Sequence, residues 1–163
     1  MTPEDIIKFF NMIPLPNEGG YYIETYRSHE LLNNLPQRYQ GQRCFSTSIL
    51  YLITPASFSK LHKVKSDEIF HFHFGDPVEM LQITETGQVQ TLILGTNFLE
   101  NQKPQAIVPK DTWQAAKLLP GGNFALLGCT VAPGFEFADY QHADKDKIIM
   151  QFPDAKALIE KYL

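Results

Sequence analysis

No apolar run in the sequence approaches the ~18 residues of a transmembrane helix, so a membrane-spanning helix is not expected. The opening residues Thr2, Pro3, Glu4 and Asp5 are polar or acidic where a secretory leader is basic, so no signal peptide is expected either. Cysteine is scarce. Cys44 and Cys129 are the two, each inside an apolar run, and neither belongs to a Cys-x-x-Cys or other zinc pattern. They read as buried free thiols of a reducing, cytoplasmic compartment. Positive charge is also short: 14 basic residues stand against 18 acidic ones, a formal charge of −4. Lys60, Lys63 and Lys65 form the one visible basic group, which reads as a solvated strand edge. Nucleic acid and anionic membranes need a basic face, so neither is an expected partner. Internal repeats, low-complexity tracts and interdomain linkers are lacking as well.

What remains is the composition of one globular domain over residues 1–163, with 44% hydrophobic and 20% charged residues. Thr2, Pro3 and Asp5 predict a capped helix start, with Ile6, Ile7, Phe9, Phe10 and Ile13 on its apolar side and Pro14 and Pro16 ending it. A second helix is expected over Phe152–Leu163, opened by Pro153 and Asp154. Between these ends the hydrophobic period is two. Strands are expected at Gly20–Arg27, Cys44–Thr54, Phe58–Val64, Glu68–Phe74, Val78–Thr84, Val89–Gly95, Gln105–Pro109, Trp113–Leu119 and Phe124–Val131. Tight turns at Gly75-Asp76-Pro77, Thr86-Gly87-Gln88 and Gly121-Gly122-Asn123 separate some of them. The pattern is all-β, a sandwich or jelly roll with short terminal helices. Ser28–Gln42 reads as a polar lip.

Chemistry concentrates in Phe58–Asp76. His62, Glu68 and Gly75 resemble the first cupin motif, with Val64 where that motif has its second histidine. Pro109-Lys110-Asp111-Thr112-Trp113-Gln114 resembles the second motif, with Asp111 for its glycine and Gln114 for its histidine. The resemblance implies a cupin double-stranded β-helix, a jelly-roll barrel. It carries over two metal ligands, His62 and Glu68. Valine cannot coordinate, and an amide is a weak ligand for transition metals. His62, Glu68 and Gln114 are therefore weak metal candidates. No cofactor is required, and a divalent metal would be held loosely. In a regular strand Glu68, Phe70, Phe72 and Phe74 face one side and His71 and His73 the other, unless a bulge intervenes.

In Gly20–Arg27, a regular strand puts Tyr22, Glu24 and Tyr26 on one face and Tyr21, Ile23, Thr25 and Arg27 on the other. The segment is similar to the early strand of the deoxysugar-nucleotide 3,5-epimerases, with Gly19 in place of their arginine, which removes the obvious pyrophosphate partner. Glu18-Gly19-Gly20-Tyr21-Tyr22, Ser66–His73, Val108-Pro109 with Trp113–Ala116, and Gly128–Asp139 together resemble a family of small uncharacterised cupins described as predicted sugar epimerases. The resemblance implies a small-molecule ligand in the barrel and an isomerase or epimerase acting on a carbohydrate-like molecule. His62 is the expected base and Tyr22 the expected acid. Glu24, Glu68 and Gln114 are expected to hold the ligand's polar groups, with Trp113 and Phe70 as its apolar wall. Asp139 is a candidate to orient a histidine. Two other classes stay open: a metal-dependent dioxygenase or isomerase, and a non-catalytic binding barrel.

The cupin resemblance implies a homodimer, since cupins often pair through their sheets and exchange early strands, and an aromatic strand such as Gly20–Arg27 suits that role because pairing removes an exposed edge. Sedimentation at micromolar concentration should give twice the chain mass; a monomer there would contradict this.

Overall fold

The computed structural model describes residues 1–163. Helix α1 is Pro3–Phe10. Thirteen strands follow: β1 Ile13–Pro14, β2 Tyr21–Arg27, β3 Leu31–Leu32, β4 Arg43–Cys44, β5 Thr47–Ile53, β6 Ser59–Val64, β7 Asp67–Gly75, β8 Val78–Ile83, β9 Val89–Leu94, β10 Gln105–Val108, β11 Trp113–Leu118, β12 Ala125–Ala132 and β13 Tyr140–His142. Helices α2, Lys145–Gln151, and α3, Lys156–Ile159, close the chain. One sheet runs β1-β2-β5-β12-β7-β10 and the other β13-β6-β11-β8-β9, with neighbours antiparallel.

The alternation of each strand sorts its side chains. Ile53, Phe70, Val78, Met80, Leu94, Ala116 and Leu127 meet between the sheets as the main core. Each large member contributes roughly 1.5–3 kcal/mol relative to exposure. A second cluster, including Leu61, Leu81, Ile83, Trp113, Ile148, Phe152 and Ile159, glues the C-terminal helices to the outside of the five-stranded sheet. A third seats α1 through Ile6 and Met12 on Leu52 and Leu126, outside the six-stranded sheet.

Several expectations change. The first helix stops at Phe10, where Asn11 takes a left-handed C-cap (φ 53°). Pro14 instead sits in the short edge strand β1, where a missing N–H is tolerated. The expected strand Cys44–Thr54 is broken into β4 and β5. The final helix is likewise broken, with 3-10 turns at Pro153–Ala155 and Glu160–Tyr162 around α3, and the sequence reading missed α2 and β13. β1 pairs only with Tyr21 and Tyr22, so Ile23–Arg27 keeps one open edge.

Two bulges matter more. In β2 the register with β5 slips at Thr25, so Tyr26 swings outward and Arg27 turns inward opposite Thr47. This reverses the facing expected for Tyr26 and Arg27. In β7 the register with β12 slips at His73, which moves Phe74 outward opposite Leu126 while Phe70 and Phe72 stay inward. His71 and His73 do lie outside, over Gly128, where a methyl group would come within 2.7 Å of the His73 ring.

Asp139 does not orient a histidine. Its carboxylate accepts Nε and Nη2 of Arg43, both at 2.7 Å, and both side chains are buried. Arg43 also donates to the carbonyls of Gln40 and Gln42. The pair pins the Ser28–Gln42 lip to the turn before β13. Removing one partner of a buried, fully bonded ion pair strands the other, at about 3–5 kcal/mol. Asp139→Ala should therefore lose about that much in urea unfolding. Lys65, half-exposed and 3.8 Å from the same carboxylate, should cost under about 1 kcal/mol as Lys65→Ala. Equal losses would show that the buried pair is not what anchors the lip.

Candidate functional site

The turn between β1 and β2 drives a carboxylate into the barrel. Asn17, Gly19 and Gly20 all have positive φ. At Gly19 a Cβ would stand 2.4 Å from the Phe58 carbonyl oxygen, so this position admits no side chain. The glycine at position 19 is thus required by the turn itself. Lys60 N–H donates to the Glu18 carbonyl at 2.9 Å, and the Glu18 side chain is delivered to Ser59, whose hydroxyl donates to Oε1 at 2.9 Å.

Behind Glu18 stands His62. Its Nδ1 lies 2.7 Å from the Lys60 carbonyl, which can only accept, so Nδ1 carries the proton and Nε2 offers a lone pair. Nε2 faces Glu18 Oε2 at 3.6 Å, just outside hydrogen-bond range. Tyr140 stacks on the imidazole at 5.2 Å. Burial pushes the His62 pKa down, partly countered by Glu68. Burial pushes Glu18 up to about 7, against the opposing Ser59 and Tyr51 hydroxyls. A neutral imidazole thus stands beside a carboxyl poised between its two forms.

Glu68 comes from the opposite sheet. It is buried, and burial raises its pKa. Gln114 donates its amide N–H to Oε2, and the Cys129 thiol donates to Oε1 at 3.3 Å. Burial likewise pushes the Cys129 thiol up, which keeps it protonated. Gln114 pairs with His62 on one side and Gln82 on the other, so β6, β11 and β8 present a polar row toward the interior.

Beside this row lies a cavity of about 100 Å³. Glu18, Glu68 and Cys129 supply its polar floor, and Tyr22, Ile49, Tyr51, Phe70 and Phe135 its walls. Glu24, Arg27, Glu136 and Phe137 also line it, toward the surface. There Arg27 donates to both oxygens of Glu24, at 3.0 and 2.9 Å, and to Glu136 at 2.8 Å. Of the residues expected from sequence, Tyr22, Glu24, Glu68 and Phe70 line this cavity. His62 and Gln114 stand one layer back and reach it through Glu18 and Glu68. Trp113 is elsewhere: it follows the opposite face from Gln114, packs in the outer cluster with Leu81 and Ile83, and has Lys63 5.0 Å over its ring. Sequence reasoning missed Glu18, Tyr51 and Cys129 as site residues. The signal for Glu18 was its place directly before two turn glycines.

The residues present do not fit a resident divalent metal. No three His, Cys, Asp or Glu side chains converge in ligating geometry. The Glu68 oxygens are taken by Gln114 and Cys129, and the free nitrogen of His62 points at Glu18. Asp111 does fit its motif. It adopts φ 61°, the left-handed conformation that explains a glycine at this turn, and its N–H donates to the Val64 carbonyl at 2.8 Å.

Comparison with known proteins agrees with this architecture. An uncharacterised protein of Saccharomyces cerevisiae is 31% identical over 134 residues, covering 76% of this chain and 66% of that protein, so the chain spans a little under two thirds of that relative. A hypothetical protein from Leishmania major superposes with a TM-score of 0.91 at 27% identity, over 99% of this chain and 98% of that one. A protein from Shewanella oneidensis gives 0.89 at 29% identity, over 99% and 97%. The family model described as Cupin superfamily (DUF985) matches residues 4–143. The chain belongs to that family.

Proposed function

We propose that the cavity binds a small carbohydrate-like molecule and isomerises or epimerises it by moving a proton beside a carbonyl. The observation that carries this reading is Glu18, a buried carboxyl with a pKa of about 7 facing the cavity. A group poised near neutrality is the efficient choice for both taking and returning a proton. In this reading ionised Glu18 removes the proton, and the electron pair moves into the carbonyl oxygen. Tyr22, which lines the same cavity, donates to that oxygen or returns the proton. Glu18 then gives the proton back to the substrate, and His62, its tautomer fixed by the Lys60 carbonyl and its Nε2 lone pair turned toward Glu18, acts as a positioning residue rather than as the base. Glu68, held by Gln114 and Cys129, binds ligand hydroxyls.

Exchange with solvent tests the proton step directly. Aldoses, ketoses and keto acids incubated with the protein in D2O should take up deuterium at the carbon beside the carbonyl, read by NMR. The rate should rise with pH through about 7 as Glu18 ionises, then level off. Glu18→Gln should lower it by about 10²–10⁴-fold, and Tyr22→Phe should lower it less. If no sugar exchanges while one still raises the melting temperature, the non-catalytic binding barrel is the better reading.

The same reading makes the natural protein a poor metal binder. In calorimetry, zinc and nickel should bind weakly, if at all. The double change Val64→His and Gln114→His supplies three imidazoles with one carboxylate and should create affinity. Equal, tight binding by both proteins would overturn the metal-free assignment.

A further inference from the structure

The charges around the cavity are lopsided. Four glutamates line it, Glu18, Glu24, Glu68 and Glu136, against one arginine. That arginine is already engaged, with Nε and Nη2 on Glu24 and Nη1 on Glu136. No other lysine or arginine lines the wall. A phosphate or carboxylate entering here would meet two buried carboxyls and no free cation.

One oxygen stands open. Glu18 is 9% exposed, and its Oε1 accepts from Ser59. Its Oε2 faces His62 Nε2 at 3.6 Å, beyond hydrogen-bond range, with the Tyr51 hydroxyl beside the carboxyl. No sealed side-chain oxygen in the protein lacks a partner, so Oε2 keeps its access to the cavity. The rings of Tyr22, Tyr51, Phe70 and Phe135 line the same space. Aromatic faces beside a carboxylate attract an ammonium group through ring quadrupole and charge together.

We propose that the cavity selects a ligand carrying a protonated primary amine, seated at the open Oε2 of Glu18 with its carbon body against the aromatic wall. This rests on the reading of the cavity as a carbohydrate site and adds the charge of that carbohydrate: an amino sugar, not an acidic or phosphorylated one. A bound ammonium holds Glu18 in its ionised form. The groups that face Glu18 are Tyr51 from β5, Ser59 and His62 from β6, Glu68 from β7, Cys129 from β12 and Tyr140 from β13. Burial pushes the Tyr51, Cys129 and Tyr140 ionisations upward and holds His62 toward its neutral form, so none of them supplies a competing cation.

Four probes separate the possibilities in calorimetry. Glucose, glucuronate and 6-amino-6-deoxyglucose differ only at one carbon, and ethanolamine is an amine without the sugar. At pH 8 the amino sugar should bind at least about tenfold tighter than glucose, with glucuronate weakest. That advantage should fall about tenfold at pH 6, where Glu18 is protonated, and should vanish in Glu18→Gln. The pH comparison uses the natural protein, so it decides the matter even if the variant fails to fold. Glucose binding as tightly as the amino sugar, or glucuronate binding more tightly, would overturn the amine proposal and leave the carbohydrate reading intact. An advantage that survives both pH 6 and Glu18→Gln would overturn it too. Ethanolamine binding that depends on Glu18, with none of the three sugars bound, would support the amine and remove the carbohydrate. No binding by any of the four would remove both.

Discussion

A carboxyl buried without a cation is the constraint around which this barrel is arranged. Glu18 reaches the interior because the β1–β2 turn uses three positive φ angles and a glycine with no room for a Cβ. Burying an isolated carboxylate costs several kcal/mol, and the group responds by holding its proton to higher pH. Ser59 and the imidazole of His62 surround it without neutralising it. The Lys60 backbone ties the two together: its N–H holds the Glu18 carbonyl, and its own carbonyl fixes the His62 tautomer. One peptide segment thus sets the position of the carboxyl and the direction of the lone pair behind it.

Glu68, on β7 of the same sheet that carries the β1–β2 turn, meets the same problem with a different solution. Two donors, the Gln114 amide and the Cys129 thiol, hold its oxygens, yet burial still raises its pKa. The charge of Glu18, in the same low-dielectric space, makes ionisation of Glu68 harder still. Arg27 does not relieve them. The bulge at Thr25 turns it inward, but Glu24 and Glu136 claim all its charge at the rim. Tyr26 takes the outward place that a regular strand would have given to Arg27.

The fold was legible because strand period and turn chemistry are local. The inward sets of β5, β11 and β12 follow from alternation alone. Legibility ended where a single residue breaks the period. A bulge leaves no mark on hydrophobic pattern, so Arg27, Tyr26 and Phe74 were assigned to the wrong faces. Trp113 was a different error. Its neighbour Gln114 already pointed inward, and alternation sends the residue beside it outward, where the C-terminal helices cover it. Glu18 lay in a turn, where no period applies, and only the steric demands of Gly19 and Gly20 reveal that the turn folds inward. Asp139 is only a candidate histidine partner in the sequence, and its charge is met by Arg43 from across the lip, 96 residues away in sequence.

The substitutions at the motif positions change the electrostatics as much as the ligand count. A divalent ion in a barrel supplies two positive charges, which hold neighbouring carboxylates ionised and histidines neutral. With Val64 and Gln114 at two motif positions, that charge has no cage to sit in. The carboxyls must then carry protons, take hydrogen bonds or meet a positive ligand. Glu68 takes hydrogen bonds from Gln114 and Cys129. Glu18 carries a proton below about pH 7 and exposes one oxygen to the cavity above it. The open oxygen of Glu18 is thus the place where a bound amine would meet a carboxyl that no side-chain cation reaches.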